Sequence, residues 1–128
     1  MISPIFIGHG SPMMAIDDNE CARFLAEYGK TVKPKAIVLF TAHWESETTT
    51  ISAIEGTYDT IYDFGGFPGE LYEVRYPAPG SVPLAERVAR MLGEKGIASR
   101  LDARRGLDHG SWVVLSRMFP AADIPVVQ

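Results

Sequence analysis

Apolar positions recur along this chain with two different periods. Pro4 to Gly8 (PIFIG) is a compact apolar run closed by glycine, the pattern of a short buried strand. Asp17, Asp18 and Asn19 offer helix caps, and behind them Cys21, Phe24, Leu25 and Tyr28 lie on one face of a helix that Gly29 closes. Ala36 to Thr41 (AIVLFT) is continuously apolar and partly β-branched, which predicts a central parallel strand covered on both faces. Thr48 to Ile54 alternates and reads as another strand. Ser81 caps a helix carrying Leu84, Val88, Met91 and Leu92 that ends at Gly93 or Gly96, and Ile97 to Leu101 returns as a strand. Ser111 to Phe119 predicts a further helix with Trp112, Leu115 and Phe119 inward, stopped by Pro120 and followed by a strand over Ile124 to Val127.

Strands alternating with helices predict an α/β fold, a mainly parallel central sheet flanked by helices. Ligands in such sheets collect beyond the carboxyl ends of the strands. Between Glu55 and Gly80 the composition shifts to Gly, Pro, Tyr and Phe. A loop of that length inside a domain is functional or disordered, and the aromatics from Tyr62 to Tyr76 argue for an ordered site wall. The chain stops just after an apolar run that reads as a central strand, with no helix to cover it. A fold truncated at its C-terminal end is therefore expected, its last strand exposed and open to cover by a second copy of the chain.

A length of 128 residues suits one core. Apolar residues at 46% and charged residues at 22% exclude disordered and low-complexity classes. A net charge of -4 lacks the basic face that a phosphate backbone requires, so nucleic acid is not an expected partner. The lone Cys21 permits no intrachain disulfide and no thiolate cluster, which fits the cytoplasm. The apolar runs are too short for a membrane helix, and Met1 leads into a strand-like segment rather than a basic and then apolar leader, so neither export nor insertion is expected.

The candidate chemistry lies in the histidines. His9 sits in GHGSP between two glycines, and His43 in TAHWE directly after the central strand. Both imidazoles are expected at one edge of a parallel sheet, where they could share a divalent ion; a hydrogen-bonded loop histidine is the plain alternative at each. His109, in GLDHGSW, lies where Asp108 or Ser111 can cap a helix, a position that disfavours imidazolium and suits a hydrogen-bond donor or proton-transfer group. Glu45 and Glu47 read as surface carboxylates, and Trp44, Phe64, Phe67 and Tyr72 as an aromatic wall or simply core. Ser11 has no GxSxG context, and no phosphate-cradling glycine motif is present.

Taken together, GHGSPM at 8–13, TAHWES at 41–46, YDFGGFPGELYEVRYPAPG at 62–80 and GLDHGSW at 106–112 resemble the class III extradiol ring-cleavage dioxygenases, above all the 4,5-DOPA extradiol dioxygenase branch. The resemblance runs in register from about Ile5 to Gln128. It implies an α/β enzyme with one non-haem divalent metal per site, iron(II) in catalysis or zinc. Such an enzyme opens a catecholic ring beside one hydroxyl with dioxygen. His9 and His43 match two metal ligands, and His109 matches the histidine that contacts substrate or oxygen. In that family a later segment adds another histidine as ligand or acid/base, and a further His or Glu completes the metal site. The sequence ends before either, so residues 1–128 are expected to be the N-terminal part of one catalytic domain and an incomplete enzyme. The alternatives are a non-catalytic metal- or ligand-binding fragment of that fold and, from another reaction class, a zinc-dependent hydrolase.

Overall fold

Helices form where a polar cap precedes an amphipathic repeat. In the computed structural model, which describes residues 2–128, α1 spans Glu20–Thr31, α2 Val82–Glu94 and α3 His109–Met118. Asn19 caps α1, its side-chain oxygen accepting from the Ala22 N–H at 2.9 Å, and Ser81 caps α2 by accepting from the Leu84 N–H at 3.3 Å. The buried face of α1 is Ala22, Leu25 and Gly29, turned away from the expected one: Cys21 and Phe24 are exposed. The cause is the close crossing of α1 and α3, at which a Cβ on residue 29 would meet the Met118 carbonyl. Gly29 therefore lies inside the helix as a contact point and does not end it.

The strands are short and parallel. β1 (Ile37–Val38) pairs with β4 (Val126–Val127), and β2 (Thr49–Ser52) with β3 (Ser99–Asp102), Thr49 opposite Ser99 and Ser52 opposite Asp102. The expected single sheet is thus two ladders, which meet where the Ser52 N–H donates to the Gln128 carbonyl at 2.7 Å. β2, α2 and β3 make a strand–helix–strand unit with adjacent parallel strands. Ala85, Val88 and Leu92 of α2 pack over Ile51 and Val127. A larger core gathers Leu25, Leu71, Tyr76, Leu107, Trp112, Val113 and Met118 around α3.

Three expectations are corrected. Residues 4–8 form no strand, because no strand among the described residues offers them a ladder, and Phe6 is fully exposed. The run from Ala36 to Thr41 is covered on one face only: Ile37 and Leu39 pack on the core while Phe40 is 85% exposed. The last strand is not exposed, since β4 lies between β1 and the end of β2, with Val126 and Val127 at 0% and 1%. The segment from Tyr62 to Tyr76 is ordered, as its aromatics predict. It winds a 3-10 turn at Gly69–Glu73, and the Tyr62 hydroxyl donates to the Val74 carbonyl at 2.6 Å. Among the described residues no helix is long and apolar enough to cross a membrane.

Candidate metal centre

Each of the three histidines reaches the site by a different local device. β1 runs on through Leu39, whose N–H donates to the Val127 carbonyl at 3.0 Å, and the chain then turns through Thr41 to His43 beyond the strand's carboxyl end. His109 opens α3. His9 arrives from the irregular segment 2–10 rather than from a strand end, just before Ser11 caps a 3-10 turn over Pro12–Ala15. The three rings converge. Centroids are 5.1 Å apart for His9 and His43, 4.9 Å for His9 and His109, and 4.1 Å for His43 and His109. One nitrogen from each lies within 4.8 Å of the other two, with His109 buried, His9 half-buried and His43 exposed.

The closest approach is His9 Nε2 to His43 Nε2 at 2.9 Å. Two ring nitrogens facing each other at that distance repel through their lone pairs unless a proton or a cation lies between them. Nitrogens that share one zinc-like ion at about 2.0–2.1 Å each cannot be more than about 4.2 Å apart, a limit this pair meets. The donor set fits as well, since neutral imidazole suits zinc and iron. Burial, and after it the His109 and His43 rings, holds the His9 pKa below its ordinary value and so favours the neutral, ligating form.

Supporting residues lie behind the rings. Asp108, 0% exposed, accepts from the Thr41 hydroxyl at 2.8 Å, and the Thr41 oxygen accepts from the His43 N–H at 3.1 Å. Arg105 stands 3.6 Å from the other Asp108 oxygen and lays its guanidinium over the Trp44 ring at 4.9 Å. Gly110 leaves room for the His43 ring, whose Cδ2 would lie 2.6 Å from a Cβ there. Asp63 Oδ1 accepts from the His109 N–H at 2.9 Å and lies 2.8 Å from His109 Nδ1, although the ring N–H is not aimed squarely at it. Burial alone would raise the Asp63 pKa, but the His109 backbone and ring contacts outweigh it and the net shift is downward. Phe64 packs edge-on to the His109 ring at 5.5 Å, within an aromatic cluster with Tyr62, Phe67, Tyr72 and Trp112. An open cleft of about 680 Å³, lined in part by Ser11, Met14 and Phe24, reaches His9.

All three predicted site histidines are thus brought together. Glu45 and Glu47 are exposed and outside the cluster, and Trp44 sits apart from the other aromatics of the expected wall. Sequence reasoning missed Asp63 and Thr41 and took Asp108 for a helix cap. The signal for Thr41 was its place two residues before His43, where a hydroxyl can hold the turn. Asp63 left none beyond lying in an aromatic-rich loop.

The sequence profile of a family described as the catalytic LigB subunit of aromatic ring-opening dioxygenase matches residues 4–128. The chain belongs to the LigB family. Among curated relatives, it is 48% identical over 128 residues to a protein of Beta vulgaris named 4,5-DOPA dioxygenase extradiol, covering 96% of this chain and 47% of that protein. A protein of the same name from Escherichia coli K12 is 48% identical over 125 residues, with 97% and 45% covered. The crystal structure of an uncharacterized protein from Escherichia coli K12 superposes with a TM-score of 0.67 at 41% identity, covering 88% of this chain and 41% of that one. The chain spans about half the length of the curated relatives it matches.

Proposed function

We propose that this LigB chain carries the metal-binding and substrate-facing histidines of an extradiol dioxygenase that opens a catechol such as DOPA with dioxygen. In this reading residues 1–128 are the N-terminal part of a single catalytic domain. His9 and His43 hold one iron(II) or zinc ion, and His109 faces substrate or oxygen. The observation that carries the reading is the meeting of three imidazoles from three separate motifs within 4.8 Å. The names of the relatives supply the substrate class.

An iron(II) held there by His9 and His43 would supply Lewis-acid and redox chemistry for a catechol and dioxygen. The chain's own residues do the rest. His9 and His43 each present Nε2 to the same point. Asp108, through Thr41, keeps the turn that carries His43 in place. His109, with Nδ1 turned to Asp63, keeps Nε2 free to hold or move a proton at a substrate oxygen. The aromatic cluster behind Phe64 keeps water from that side of the ring. A reducing compartment suits both iron(II) and the free thiol of Cys21, and the cytoplasm is the proposed location.

Metal titration and oxygen uptake test this. His9→Ala and His43→Ala should each weaken zinc or iron(II) binding by at least about tenfold, because two imidazoles are the core of the donor set. His109→Ala should retain metal yet lose oxygen uptake with L-DOPA under reducing conditions. Affinity unchanged in both ligand variants would discard the ligand assignment. A second reading is a metal-holding domain without ring cleavage, which rests on the three imidazoles being a set that could hold a metal by itself. It predicts tight metal binding with no oxygen uptake by the protein.

A further inference from the structure

We propose that Asp63 is a positioning residue for His109, fixing its ring proton on Nδ1 and its nitrogen Nε2 toward the other two histidines. The assignment deepens the ring-cleavage reading and rests on it for its purpose.

The argument starts from an exchange of caps. Asp108 occupies the N-cap position of α3, yet its side chain makes no capping hydrogen bond. Its carboxylate is turned to Thr41 instead. The first N–H of the helix, that of His109, is taken by Asp63 from the aromatic segment far upstream in sequence. The same Oδ1 lies 2.8 Å from His109 Nδ1, although off the line of the ring N–H. One carboxylate oxygen therefore touches both the backbone and the ring of one histidine, an arrangement that serves orientation more than ordinary helix capping.

The chemistry follows. A carboxylate can only accept, so the ring nitrogen beside it favours carrying the proton. That leaves Nε2 bare, with a lone pair on the side away from Asp63. Phe64, the next residue in the chain, packs edge-on to the ring. Residues 63 and 64 thus both contact the imidazole, which links the ordered aromatic segment to the site.

Long-range proton–nitrogen NMR on histidine-labelled, metal-free protein at about pH 8 reads the tautomer directly, since unperturbed histidine is neutral there. His109→Gln identifies the signal. In the parent protein His109 should show a protonated Nδ1 and a bare Nε2; a proton on Nε2 would overturn the proposal, and that spectrum needs no variant to fold. Asp63→Ala should mix the two tautomers and lower kcat for catechol cleavage by about 10- to 100-fold while metal affinity changes far less. Asp63→Asn, whose side-chain oxygen still accepts, should keep the parental pattern. An unaltered spectrum in Asp63→Ala, or an altered one in Asp63→Asn, counts against the assignment. If the ring-cleavage reading itself is wrong, the parent protein takes up no oxygen with L-DOPA while the tautomer pattern stands.

Discussion

Asp102 and Asp108 lie six positions apart, yet they use their carboxylates in opposite ways. Asp102 Oδ1 accepts from the Arg104 and Arg105 backbone N–H groups at 2.8 and 2.7 Å, closing the turn after β3. Those two hydrogen bonds hold its pKa below the ordinary 3.8. Asp63 is shifted the same way. A depressed carboxylate contributes stability in full above its unfolded value and loses it as pH falls from there through the folded one. Stability should therefore drop as pH is lowered below about 4. Asp102→Asn, which keeps the acceptor and removes the charge, should make the drop shallower. Urea midpoints at about pH 5 and pH 3 measure the difference, and equal slopes for both proteins would refute the assignment. Asp108 instead faces inward to Thr41, and Arg105 joins the two acids by donating its N–H to one and standing beside the other. This part of the site was illegible in the sequence for a definite reason. Which partner a carboxylate finds depends on segments far off in the chain, whereas capping rules see only the next few residues.

At the scale of elements, helices were more legible than strands. Asn19 and Ser81 cap α1 and α2 because a cap is a contact within three residues. Strand pairing is settled at long range, so the apolar run at residues 4–8 could not reveal that it lacks a neighbour. The inward face of α1 was misjudged because hydrophobicity points to Phe24, while packing there is decided by the small residues Ala22 and Gly29. Gly29→Ala tests this. The helix-propensity gain of about 1 kcal/mol is outweighed by about 1–3 kcal/mol of overpacking against the Met118 backbone. A fall in Tm of several degrees is expected. Gly93→Ala on α2, where an added methyl meets nothing within 4 Å, should leave Tm unchanged or raise it. The opposite order of the two would show that the crossing is not tight.

For the molecule as a whole, the α/β class was legible, and so were the places of His43 and His109, because alternating elements bring strand and helix ends together whatever the exact pairing; His9 joins them from an irregular segment, not from the strand end expected for it. Division into two ladders and the one-sided cover of β1 were not legible. That open face has a consequence in solution. Phe40 stands free in water on that face, with Val38 half-exposed, and Phe6 and Ile5 are exposed on the N-terminal segment. The 128-residue chain should associate as its concentration rises, and the double substitution Phe6→Ser with Phe40→Ser should reduce that association in sedimentation velocity. Sedimentation of the parent as a monomer at every concentration would contradict it.

The imidazole trio draws its members from residues 9, 43 and 109, so no contiguous piece of polypeptide shorter than that span can assemble it. A cation held by His9 and His43 beside His109 would favour the completed tertiary arrangement over every partly formed one, and sequestering it with a chelator would lower the melting temperature by mass action. The pocket would then serve as a clasp as well as a place for chemistry.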